Sequence, residues 1–359
     1  MEQQTAKKWF QKCIILLISL LGLIACAVIF VDPYFHYHKP FDSMSYRLYE
    51  ERYINDGIGR HFEYDAIITG TSMTQNFKPS EMDALFGTKA VKMPFSGAGY
   101  QELSENLERA LERNDKIEMV LWAVDYNGLL RDSDWQQYEN YPDYLYDDNP
   151  LNDAAYVWNK SILYHGVLPN MLMSLTGEPA TTMDEYSSWV KETGLEHIML
   201  SYDRDDVTIP ETVDFGEEEY QMVTMTIENN LVKLVNQYPD VEFYLFYTPY
   251  SICYWDAQNI KGTIMRQTEA EKTATEMLLQ CPNVKLFNFF DRYEVICNTD
   301  YYNDDGHYSA EINSKILSWM AEDSGLLTEE NYLERLQEER DFYLNYDYDS
   351  IYLELEEDE

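Results

Sequence analysis

The amino-acid sequence predicts an α/β protein: a three-layer sandwich on a mostly parallel five-stranded sheet, plus one N-terminal transmembrane helix. Two observations lead there. Between residues 60 and 325, short apolar runs alternate with segments of helical periodicity, the pattern of a parallel sheet covered by helices on both faces. Ahead of them, Cys13 to Val31 reads CIILLISLLGLIACAVIFV, 19 residues without a charge. At 1.5 Å per residue that run spans roughly 28 Å, close to the hydrocarbon thickness of a bilayer. With 359 residues, 45% of them hydrophobic, the chain has ample material for a large core.

The apolar run sets the expected compartment. Lys7, Lys8 and Lys12 precede it and Asp32 follows, so the positive-inside rule places residues 1–12 in the cytoplasm and everything after residue 32 outside. A secretory signal has a shorter apolar core and a small-residue cleavage site. LIAC, Leu23 to Cys26, resembles a bacterial lipoprotein signal that would make Cys26 a lipidation site, but AVIFV continues apolar beyond the cysteine and favours an uncleaved signal anchor. The juxtamembrane segment, 32–59, opens on DPYFHYHKPF, read as an interfacial aromatic belt. His36 and His38 alternate there, too few for a metal site. Five cysteines, Cys13 and Cys26 in the span and Cys253, Cys281 and Cys297 outside it, are too sparse for a disulfide framework.

The strands are expected in order at DAIITG (65–70), KAVKMPF (89–95), IEMVLWAVDY (117–126), VEFYLFYTP (241–249) and VKLFNFF (284–290). Each is apolar on both faces, as a buried parallel strand must be. Helices fall between them: after Ser96–Gly99, with Leu103, Leu107, Ala110 and Leu111 at helical spacing; from Glu217 to a stop at Pro239; from Thr263 to Leu279; and from Ser309 to Ala321. An acidic, aromatic and turn-rich insertion fills about 127–214, a candidate lid. An acidic helix and tail occupy 326–359, the end read as solvated.

A formal net charge of -39 excludes nucleic acid as a natural partner and disfavours anionic surfaces. Thirty-one tyrosines suit a glycan-facing cleft or a wet surface. No phosphate-binding glycine loop, dinucleotide fingerprint or metalloprotease motif is present, and no cofactor is implied.

In such sheets ligands bind at the carboxyl ends of strands. Ser72 follows the first strand in IITGTSMTQN, and Asp304 and His307 follow the fifth in YYNDDGHYSAEIN. A serine becomes a nucleophile when a histidine removes its proton, and a carboxylate on the other ring nitrogen orients the histidine. At i and i+3 on a turn, Asp304 can face His307. Singly, each has a plainer reading. Ser72 would serve as a helix N-cap, and Asp304 and His307 as a polar loop capping the helix from Ser309, or as a weak cation site with Asp300 and Asp305. Their joint placement at strand ends favours catalysis.

These residues resemble the SGNH (GDSL-like) hydrolase superfamily, over roughly residues 60–320. The likeness is nearest to a membrane-anchored branch associated with acylating cell-envelope polymers, as in D-alanyl-lipoteichoic acid and alginate O-acetylation systems. The resemblance implies a flavodoxin-like sandwich, with Ser72 as nucleophile, His307 as general base and Asp304 as its orienting partner. It also implies Gly97, in FSGAG, as an oxyanion-hole donor beside Ser72. The usual Gly-Asp-Ser-Leu is here Gly70-Thr71-Ser72-Met73, and the third block's Gly-x-Asn-Asp is absent. AVDYNG stands in its place, with Asn127 as the candidate third donor, or a plain turn residue, and Asp125 holding the loop or touching substrate. Tyr250 and Trp255, in TPYSICYW, are candidates to line the cleft. The implied partners are a cell-envelope glycan, an acyl donor and an integral-membrane acyltransferase. The alternative is a catalytically inactive scaffold or glycan-binding component of an envelope assembly complex. A hydrogen bond between Ser72 and the His307 ring would favour the enzyme.

Overall fold

The sheet has the strand order β2-β1-β3-β4-β5-β6. Its strands are β1 (Ala66–Gly70), β2 (Ala90–Pro94), β3 (Met119–Val124), β4 (Glu242–Tyr247), β5 (Val284–Phe287) and β6 (Leu326–Leu327). The first five pair in parallel. The sixth, which the sequence does not announce, is a two-residue antiparallel addition to β5. The structure is a computed structural model describing residues 2–138, 141–189, 191–202, 204 and 211–353; residues 354–359, the end of the expected acidic tail, lie outside the described residues.

Every residue of β1, β2 and β3 is buried, which is why these strands read as continuous apolar runs. Lys92, in the middle of β2, is the exception in chemistry but not in burial. Its ammonium donates to the carbonyls of Gln75 (2.5 Å), Phe77 (3.0 Å) and Asp184 (3.3 Å) and to Ser188 Oγ (3.1 Å). A buried ammonium satisfied by four acceptors can stay inside where a bare one would not.

One helical layer contains Tyr100–Arg113, Ile264–Leu278, Tyr332–Asn345 and the run Glu217–Gln237, which passes through a π-helical turn at Glu228–Val232. Helices Pro79–Phe86 and Ala310–Ala321 pack together elsewhere on the sheet. The chain beyond Thr328 is less solvated than its composition implies. Tyr343, Tyr348 and Tyr352 are buried, as is Glu339. Glu339 and the equally buried Glu271 each accept from the Tyr126 hydroxyl (3.1 and 3.3 Å) and from Asn288 Nδ2 (2.7 and 2.5 Å). Burial pushes both carboxyls up, Glu271 well above the ordinary glutamate value and Glu339 to about 7.

The chain divides into two compact units. One comprises Met1–Glu63 and Asn140–Thr182, the other Tyr64–Glu139 and Met183–Glu359. The sheet belongs to the second. In the first, helix Glu2–Val31 carries the apolar run, and it alone among the described residues is long and apolar enough to cross a membrane. The segment after it is a folded knot. The Asp32 carboxylate accepts the backbone N–H groups of His36 (3.0 Å), Tyr37 (2.7 Å) and His38 (3.0 Å) and the Tyr156 hydroxyl (2.8 Å). Tyr34 and Phe35 are buried.

Candidate active site

The order β2-β1-β3 places the switch in winding direction between β1 and β3, where the crevice of an open parallel sheet opens. The chain beyond the carboxyl ends of β1, β2, β3, β4 and β5 supplies the site. At Gly70, φ is +143, and a Cβ would lie 2.7 Å from Thr74 Cγ2 and 3.2 Å from Ala123 Cβ. Glycine is therefore required for the chain to leave the strand and turn at once into the short 3₁₀ turn Ser72–Thr74.

The cap of that turn is Thr71, not Ser72. Thr71 Oγ1 accepts from the Met73 N–H (3.4 Å) and donates to Asp125 Oδ2 (2.6 Å). Ser72 Oγ is left to meet His307 Nε2 at 2.7 Å. On the other side of the ring, His307 Nδ1 lies 2.8 Å from Asp304 Oδ2 and 2.9 Å from Oδ1. With Nδ1–H donating to the carboxylate, Nε2 carries the lone pair that faces the serine. The sequence placed Ser72, Asp304 and His307 on one rim, and the structure brings them into a single hydrogen-bonded line.

Asp304 is fixed by its own backbone. Its Oδ1 accepts the N–H groups of Gly306 (3.0 Å) and His307 (2.6 Å). Burial acts to raise its pKa, but the hydrogen bonds from the His307 ring and these backbone donors outweigh burial and hold the carboxyl below its ordinary value. Helix Ala310–Ala321 braces the Ser72–Thr74 turn from behind, Asn313 Nδ2 donating to the Met73 carbonyl (3.1 Å).

Asp125 directly follows β3 and ties three strand ends together. Besides Thr71, it accepts from the Tyr250 hydroxyl (3.2 Å), and burial pushes its carboxyl up. Ser72, His307, Asp304, Asp125, Gly97, Asn127 and Tyr250 all border one pocket of about 300 Å³. Gly97 sits at φ +67 with Gln137 Oε1 over the position a Cβ would take. Asn127 accepts from the Tyr254 hydroxyl through Oδ1 (3.3 Å), which leaves its Nδ2 hydrogens for another acceptor. Trp255 requires correction. It is 1% exposed and stacks on Tyr343 at 3.8 Å. It follows Tyr254 on helix Ile252–Ile260, which turns its indole toward the core, and the cleft is lined by Tyr250 and Tyr254 instead.

Sequence reasoning missed two groups. Arg131, Trp135 and Gln137, from the start of the insertion, form a wall of the pocket, with the Arg131 guanidinium 3.9 Å over the Trp135 ring. Trp189 meets the His307 ring edge-on, centroids 5.8 Å apart. The loop after the Ser72–Thr74 turn holds it there. Trp189 N–H donates to Asn76 Oδ1 (2.9 Å) and its indole Nε1 to Gln75 Oε1 (2.9 Å), while Lys92 clamps the carbonyls of Gln75 and Asp184. No local signal marks Trp189 in the sequence. Thr71 carried one, as a capping residue directly after a strand glycine. Among the described residues no cluster of three or more metal-ligating side chains occurs.

The sequence matches no protein-family model and no curated protein. A solved structure from Streptococcus pneumonia, provisionally described as a platelet activating factor, aligns with a TM-score of 0.39 and 13% identity, covering 76% of this chain and 90% of its own. That likeness is too slight to bear on function.

Proposed function

We propose that the protein is an extracytoplasmic, membrane-anchored serine esterase or O-acyltransferase of SGNH type, acting on acyl esters of a cell-envelope polysaccharide. The observation that carries this reading is the line from Ser72 Oγ to His307 Nε2 to Asp304, with contacts of 2.7 and 2.8 Å, at the edge of a pocket. In the proposed reaction His307 Nε2 takes the Ser72 proton as Oγ attacks the acyl carbonyl. The oxyanion is received by the N–H groups of Ser72 and Gly97 and by Asn127 Nδ2, each such donor being worth about 3 kcal/mol in the transition state. His307 then gives the proton to the leaving oxygen, and an acyl-serine remains. Water or a sugar hydroxyl enters by the same base catalysis and releases Ser72. Asp304 stays ionised throughout and holds the ring.

The anchor reading is supported by the helix's own end. Val28 and Val31 are buried and Asp32 organises the loop beyond, which supports a helix that stays part of the fold. The three lysines before the span orient the second unit away from the cytoplasm. We place an acyl donor and an envelope glycan in the pocket, with an integral-membrane acyltransferase as the companion in the bilayer.

The test is to incubate the full chain with p-nitrophenyl acetate and follow ester cleavage and peptide mass together. Release of p-nitrophenol with an acetyl group on the peptide containing Ser72, both absent in Ser72→Ala, is the expected result. Turnover that survives Ser72→Ala would refute the assignment of the nucleophile.

A further inference from the structure

From Ala154 to Gly177 the chain has no aspartate or glutamate, a gap of 24 residues in a sequence that holds 65 of them. Lys160 is its one lysine, and it has no arginine. Within its unit this segment lies against the anchor helix. Trp158 Nε1 donates to the Leu21 carbonyl (3.1 Å), and Gly166 approaches Pro33 so closely that a Cβ would sit 2.8 Å from the proline Cγ. Leu21 is ten residues before the helix end at Val31, or about 15 Å along the axis. A bilayer that surrounds Cys13–Val31 therefore surrounds Trp158 as well, and Trp158 is half exposed.

The helix that follows, Leu168–Thr176, is bare on an apolar face. Leu168, Met171, Leu172 and Leu175 are 45, 42, 59 and 83% exposed. At about 100° per residue these four fall within about 100° of arc. The opposite face is used inside the unit. Asn170 Oδ1 accepts the Arg47 N–H (3.0 Å), and Ser174 Oγ accepts the Ser45 N–H (2.9 Å). So the helix is pinned on its polar side with leucines and a methionine outward.

We propose that residues 154–176 form a second, monotopic membrane element. Trp158 enters the hydrocarbon beside the anchor helix, and helix Leu168–Thr176 lies in the interface of the same leaflet with its apolar face in phospholipid acyl chains. The inference rests on reading Cys13–Val31 as a bilayer span. Three features on the segment point to lipid as the occupant: continuity with the span through Trp158 and Leu21, the missing carboxylates, and an apolar arc of the width an interfacial helix presents. It also gives a −39 chain a way to hold the membrane that does not depend on charge.

The experiment uses the full chain in phosphatidylcholine vesicles carrying a diazirine on one acyl chain, with adducts mapped by mass spectrometry after illumination. Adducts are expected within 13–31 and again on residues 158–175. None are expected on helix Tyr332–Asn345, which also exposes Leu333 and Leu344. The variant Leu168→Gln, Leu172→Gln, Leu175→Gln changes only exposed positions and should lower adducts on the segment about tenfold while those on 13–31 persist. Adducts on 13–31 alone would overturn the proposal and leave the anchor standing. Adducts on neither would overturn the anchor reading as well. A segment shielded from lipid and cross-linked to a second protein would assign the apolar face to a protein partner and overturn the proposal.

Discussion

Thr71 and Ser72 divide two roles that either hydroxyl could have filled. Thr71 caps the turn and reaches Asp125, and Ser72 is released toward His307. Sequence could place both residues at a strand end, but which of them caps depends on Asp125, 54 residues away. Asp304 shows the converse case. Its partners are at i+2 and i+3, so the turn that orients His307 was legible locally. Because the folded Asp304 pKa lies below the ordinary 3.8, its stabilising charge is present above that value and is lost only as pH falls through the lower folded one. Asp304→Asn is expected to keep the fold, by circular dichroism, and to lower kcat by up to about 10⁴, since the ring loses the acceptor that fixes its tautomer. Gly97→Ala introduces a side chain at φ +67, costing about 1–2 kcal/mol of backbone strain. With the donor displaced, kcat should fall about 10²–10³, while KM, read from the same titration, changes little.

Continuous apolar strands and amphipathic helices are self-announcing, and β1 to β5 lie within a few residues of the sequence expectation. β6 is not, because two residues after Gly325 carry no period. The strap that carries Trp189 is equally silent. Its position comes from Gln75, Asn76 and the buried Lys92, contacts more than 90 residues distant in the chain. Trp189→Ala removes the edge contact on His307 and is expected to lower kcat by up to about 10² through loss of ring alignment. Trp189→Phe should recover most of it, so equal losses in both variants would contradict a positioning role. Between helices Ile264–Leu278 and Tyr332–Asn345, the Glu271–Glu339 pair makes stability depend on pH. Burial raises both carboxyls in the folded chain above the 4.5 of the unfolded one. Its contribution is whole below about 4.5 and is lost as pH rises through about 7. Tm should therefore fall between pH 5 and pH 8, roughly the range about these values, and Glu271→Gln should flatten that dependence.

At the scale of the whole molecule, two kinds of order separate cleanly. The unit built on the apolar N-terminal helix has its polar knot at Asp32 and its apolar face on Leu168–Leu175. The unit built on the sheet holds every residue of the proposed chemistry. The division was hidden in the sequence because the first unit is assembled from two stretches, with the sheet's first three strands between them. Composition spoke only to the sum. A chain held in the membrane by apolar burial should stay with the bilayer through high salt and alkaline carbonate and leave with detergent, as fractionation and immunoblotting would record. The central claim, an activated serine, is met most directly by fluorophosphonate labelling of the full chain in detergent, with Ser72→Ala and His307→Ala beside it. Labelling of the wild type that both substitutions abolish is the predicted result. A folded wild-type protein that takes no label would contradict it, and the Ser72–His307–Asp304 line would then belong to a scaffold.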